Sequence, residues 1–97
     1  MNDTSDAPGA DDDGSGSSLA IEAARVFTAT HFKPEANIVF ICFAGEEQGL
    51  YGSEHFASEA KTKGMNIIAD LNNDIVGAIK GGDGEVNRNT VRVFSEP

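Results

Sequence analysis

The residue types able to do chemistry in this chain gather in three short clusters: PGADDDGSG at 8–16, GEEQGLYGS at 45–53 and NNDIVG at 72–77. What they share is carboxylate, from Asp11, Asp12 and Asp13, then Glu46 and Glu47, then Asp74. Carboxylates brought to one place raise each other's pKa, so the excess charge is relieved either by protonation or by a bound cation. A metal ion is the simplest solution. Adjacent residues on an extended backbone point to opposite sides, so one of Glu46 and Glu47 can hold a metal while the other faces substrate or water. Taken singly, an Asp-rich loop is most simply a solvated turn and a Glu-Glu pair a surface feature. Placement weighs against that reading. Each cluster sits where a loop meets the end of an expected strand or the start of an expected helix, and in open α/β sheets the binding crevice lies outside the carboxyl ends of the strands.

The elements that position these clusters follow from hydrophobic periodicity. Residues 1–18 are polar and aperiodic and read as loop. Leu19, Ala20, Ala23, Ala24 and Phe27 then fall on one helical face, which predicts a helix with Ser17 or Ser18 as N-cap, running to about Phe32 before Pro34. The run NIVFICFA at 37–44 is apolar, β-branched and aromatic throughout, as in a strand covered on both faces. Beyond the glycine-punctuated loop 45–52, Ser53 reads as the N-cap of a second helix. Glu54 is in its first turn, Phe56, Ala57 and Ala60 are on one face, Lys61 and Lys63 are in the last turn, and Gly64 is the stop. MNIIADLNNDI at 65–75 predicts another strand, KGGDGEVNRN at 80–89 a turn-rich loop, and Val91–Phe94 a last strand. This alternation predicts an α/β fold with a helix-flanked, largely parallel or mixed sheet.

Composition narrows the partners. Ninety-seven residues allow one small domain at most. Seven Lys and Arg against 16 Asp and Glu give a formal charge of −9, which argues against a nucleic-acid or anionic-membrane surface and suits cations. One cysteine closes no intrachain disulfide, and Cys42, inside the apolar run, reads as a small buried hydrophobe. The longest apolar run, 38–44, is far too short to span a bilayer, and the acidic N-terminus does not resemble a signal peptide.

Other polar residues have plainer readings. His31 is expected at a helix end, as a cap or dipole partner, and His55 in the first turns of the second helix, within reach of a site. Tyr51 reads as a packing residue. A calcium loop is the competing motif: Asp11, Asp13, Ser15, Gly16 and Glu22 occupy positions 1, 3, 5, 6 and 12 of an EF-hand pattern. Position 8, normally apolar, is Ser18, and Pro8 with so little chain before it leaves no room for an entering helix.

Together the three clusters, in this order and at these separations, closely resemble the zinc-dependent aminopeptidases of metallopeptidase family twenty-eight, which are co-catalytic di-zinc exopeptidases. The resemblance covers about residues 7–78. It implies that Asp12 bridges two zinc ions, that Glu47 binds one and Asp74 the other, and that Glu46 is the general acid/base. It also implies a peptide substrate and favours a secreted or periplasmic setting. Such enzymes use two further histidines, one on a strand before the Asp-rich loop and one far downstream, and neither His31 nor His55 matches those places. Asn73 stands where relatives commonly carry an apolar residue. The 97 residues are therefore expected to be an internal piece of one peptidase catalytic domain, inactive on their own. A relative that keeps the fold as a non-catalytic binding domain is the alternative. Its mark would be loss of the metal-site carboxylates, and this sequence keeps them.

Overall fold

A computed structural model describes residues 8–80 together with 84, 86 and 95. Two helices form among them, α1 (Gly14–Ala29) and α2 (Tyr51–Thr62). α1 starts ahead of the expected serine caps because Asp13 is the better acceptor: its carboxylate takes the Gly16 amide at 2.8 Å. Gly14 and Gly16 each weaken a helix by about 1 kcal/mol relative to alanine. Gly16 is nevertheless required, since a Cβ there would run into the Asn73 carbonyl oxygen and the Asp13 carboxylate. The far end also comes earlier than expected. The Thr30 hydroxyl donates to the Val26 and Phe27 carbonyls at 2.9 and 3.2 Å, and His31 turns left-handed at φ 52°, so α1 closes at Ala29 and not near Phe32. His31 does stand at the helix end.

α2 is capped by backbone and not by Ser53. The N-cap is Leu50, left-handed at φ 59° with no side-chain cap. The Tyr51 and Gly52 amides, which open the helix, donate to the Gly45 and Ala44 carbonyls at 3.2 and 2.9 Å. Ser53 Oγ donates back to the Leu50 carbonyl at 3.1 Å. The C-terminus is as the sequence predicts. Gly64 sits at φ 64°, its amide donates to the Lys61 carbonyl and that of Met65 to the Ala60 carbonyl, the paired bonds of a Schellman motif.

Between the helices runs the apolar segment 37–44. Phe40 meets Phe27 of α1 with ring centroids 5.9 Å apart, and Phe43 meets Phe56 of α2 at 5.7 Å. Positions 40 and 43 differ in parity, so an extended backbone sends them to opposite faces. The two helices make no contact with each other among the described residues, as expected of elements on opposite sides of one segment. The expected sheet is a different matter. Residues 37–44 and 65–75 are not strands, and the described residues hold one isolated antiparallel bridge, Lys80 with Val86. A strand exists only through pairing, and these two segments do not form a ladder with each other. The strand expected at Val91–Phe94 lies outside the described residues.

The apolar layers are correspondingly open. Ala60 is the buried hydrophobic residue among those described, while Val39 is 64% exposed and Leu71 88%. Cys42, expected to be buried, is exposed, because no layer among the described residues covers its face. No helix of the described residues is long and apolar enough to cross a membrane.

Gly64 gives a clean test of the α2 terminus. No atom lies within 4 Å of a Cβ added there, so Gly64→Ala should destabilise the fold by about 1–2 kcal/mol through the left-handed backbone alone. Gly64→Asn should cost less, and thermal unfolding of both variants measures the difference.

Candidate metal centre

Three aspartates stand before α1, and two of them are engaged by backbone. Asp13 caps the helix at Gly16. Asp11 Oδ1 accepts the Gly77 amide at 2.8 Å, from a segment 66 positions away. The Gly14 amide donates to the Gly9 carbonyl at 2.8 Å, which closes the turn that holds all three, and the Asp12–Asp13 peptide is cis. That leaves Asp12, whose carboxylate is exposed and makes no hydrogen bond among the described residues.

The other two clusters are anchored from their far sides. Glu46 and Glu47 occupy the turn between the apolar segment and α2, and the Gly49 and Leu50 amides both donate to the Glu46 carbonyl at 2.9 Å. The turn therefore closes on its own backbone while the two carboxylates stay exposed. Gly52 permits this closeness, since a Cβ there would lie 2.7 Å from the Ala44 oxygen. Asp74 is held against the first turn of α1: the Asn73 carbonyl abuts Gly16, and the Val76 amide donates to Ser15 Oγ at 3.0 Å.

Asp12, Glu46, Glu47 and Asp74 all line one open cleft of about 970 Å³, along with Asp13 and Asp70. Among the described residues no Lys, Arg or His lines it, so its six carboxylate residues have no counter-charge from them. A cation is what such walls favour. Carboxylate oxygen is a normal zinc donor, at about 2.0–2.2 Å, so the donor types fit zinc. The spacing is wider than a finished site: no three His, Cys, Asp or Glu of the described residues come together as a metal-holding group. Without a ladder between 37–44 and 68–74, nothing sets the distance between the walls.

His31 and His55 do not line the cleft. The calcium motif is not a loop here, because Gly14 to Glu22, positions 4 to 12 of the pattern, lie inside α1. Glu22 is bidentate on Arg25 at 2.6 and 2.7 Å, and that guanidinium holds its carboxyl below the usual range.

A profile described as Peptidase family M28 matches residues 2–89. The chain belongs to peptidase family M28. A "probable zinc metalloprotease" of Pyricularia oryzae is 50% identical over 96 residues, covering 99% of this chain and 19% of the relative. One from Pyrenophora teres f. teres is 46% identical over 91 residues, 94% of this chain and 19% of its own length. One from Leptosphaeria maculans is 43% identical over 96 residues, 99% and 22% respectively. This M28 chain thus spans about one fifth of the length of the relatives it matches. Zinc is the metal of the family. No solved structure matches the chain.

Sequence reasoning selected four of the five cleft carboxylates without a hydrogen bond but not Asp70, which carries no motif, nor the roles of Asp11 and Ser15, which only the long-range contacts reveal. The turn geometry yields a test. Gly52→Ala should destabilise the M28 fold by about 1–3 kcal/mol, because the added methyl overpacks the Ala44 backbone. Urea unfolding with the slope held constant measures it.

Proposed function

We propose that this chain forms part of the catalytic domain of a zinc metallopeptidase acting as an aminopeptidase. The observation that carries the reading is that Asp12, Glu46, Glu47 and Asp74, the four positions matching the family's motifs, line one cleft and their carboxylates make no hydrogen bond among the described residues. Asp11 and Asp13, by contrast, are engaged by backbone amides. In this reading Asp12 would serve both zinc sites, Glu47 one and Asp74 the other, and imidazole ligands would come from the remainder of the domain.

Zinc, when bound, lowers the pKa of a water and polarises the scissile carbonyl. Glu46 takes the proton of the attacking water and passes it to the leaving amine, the work of a general acid/base. Glu47, its neighbour, has no proton role. The acidic walls favour a substrate that brings a free α-ammonium group, which is what an exopeptidase meets at a peptide N-terminus. Retention of all four carboxylates weighs against a non-catalytic relative.

Paired substitutions in a complete domain carrying this chain test the division of labour. Glu46→Gln should lower turnover by roughly 10²- to 10⁴-fold with zinc content unchanged. Glu47→Gln should lose zinc from one site and regain activity on zinc addition. If the Glu46 variant loses metal while the Glu47 variant keeps two ions and loses only turnover, the roles are reversed.

A further inference from the structure

Two long-range hydrogen bonds tie the segment carrying Asp74 to the turn carrying Asp12. The Gly77 amide donates to Asp11 Oδ1 at 2.8 Å, and the Val76 amide to Ser15 Oγ at 3.0 Å. The Ser15 hydroxyl in turn donates to the Asp11 carbonyl at 2.7 Å, so the two anchors are linked. Between these anchors and Asp74 lies Ile75 at φ 48°, a β-branched residue in the left-handed region. Such a backbone persists only where its surroundings over-determine it. On the near side, the Asn73 carbonyl abuts Gly16. Asp74 is thus fixed in register from both sides, by contacts that all end on the first turn of α1 or the turn before it.

We propose that Asp11 and Ser15 are positioning residues that lock the Asp74 segment to the Asp12 turn and so set the separation of the two metal-binding carboxylates. The proposal rests on the assignment of Asp12 and Asp74 as zinc ligands. Asp11 acts through its hydrogen bond and not as a ligand, because it does not line the cleft that Asp12 and Asp74 share. Gly77 is part of the device, since a Cβ there would lie 2.7 Å from Asp11 Oδ1 and push the amide away. Partners that orient metal ligands typically contribute about 10- to 100-fold in metal affinity.

The test compares Asp11→Ala, Asp11→Asn, Ser15→Ala, Gly77→Ala and Asp74→Asn in a complete domain carrying this chain. Zinc affinity is read by chelator competition and zinc content by elemental analysis, beside kcat and KM. Asp11→Ala, Ser15→Ala and Gly77→Ala should each weaken zinc binding roughly 10- to 100-fold. Their kcat should fall at limiting zinc with KM unchanged, and recover when zinc is added. Asp11→Asn keeps an acceptor oxygen and should bind zinc like the parent. Should Asp11→Ala fail to fold, the Ser15 and Gly77 variants answer the same question. If Asp11→Asn is as weak as Asp11→Ala, charge and not the hydrogen bond is at work, and the proposal is overturned. If Asp74→Asn loses zinc while the three clamp variants bind as the parent does, the clamp alone is wrong. If Asp74→Asn keeps both ions, the ligand assignment falls and the clamp with it.

Discussion

The hydrogen bond from the Gly77 amide to the Asp11 carboxylate is the contact that holds the Asp74 segment to the Asp12 turn. It joins segments 66 positions apart and, with the Ser15–Val76 bond, is one of two long-range hydrogen bonds involving a side chain among the described residues. Hydrogen bonds to a charged acceptor contribute about 1.5–3 kcal/mol, less where water competes, and Asp11 is only half-buried. The energy is modest but the geometry is decisive. It ties one aspartate to the backbone, as the helix cap ties Asp13, and leaves Asp12 between two engaged neighbours. A run of three acids, electrostatically unfavourable in itself, is thereby divided into two scaffold groups and one available donor.

Both helices begin beside the cleft. α1 starts directly after the aspartate run and α2 shortly after Glu46 and Glu47. Helix N-termini carry partial positive charge, and each favours a nearby anion by about 0.3–1 kcal/mol. Two such termini do not neutralise six carboxylates. They make it tolerable to build the acids at these places, and they leave a net negative cleft that a divalent cation relieves far more effectively. The capping differs. α1 uses an aspartate side chain, whereas α2 uses the carbonyls of Ala44 and Gly45, so the Glu46 and Glu47 carboxylates in that turn are kept out of the capping role.

Local signals in the sequence were legible and relational ones were not. Gly64 ends α2 as its position suggests, since a Schellman stop needs only a left-handed residue after the helix. The N-caps were misplaced. Asp13 outcompetes Ser17 and Ser18 because Gly16 must press against Asn73, and Leu50 replaces Ser53 because preceding carbonyls already serve the first amides. The carboxylate clusters could be picked out because their order and separation are linear properties. The engagement of Asp11 could not, because its partner is remote in the chain. Residues 37–44 have strand composition, yet a strand is a relation between two segments, and no partner pairs with them among the described residues. Cys42 is exposed for the same reason.

Openness also explains why four suitable carboxylates share a cleft without closing on a point. Metal sites require ligand distances within about 0.2 Å of ideal values, a tolerance that side chains reach only when the backbone behind them is fixed. The Asp12 and Asp74 segments are fixed to each other through α1. The Glu46–Glu47 turn is fixed to α2, and α1 and α2 do not touch. What lies between them is an apolar segment with rings on both helices but with Val39 largely open to solvent. Burying that face is favourable by about 25 cal/mol per Å² of apolar surface. Ladder pairing along it would fix the Glu46–Glu47 wall relative to the Asp12–Asp74 wall. The same surface that leaves this chain loosely packed is therefore the one through which pairing would set the separation of its two carboxylate walls.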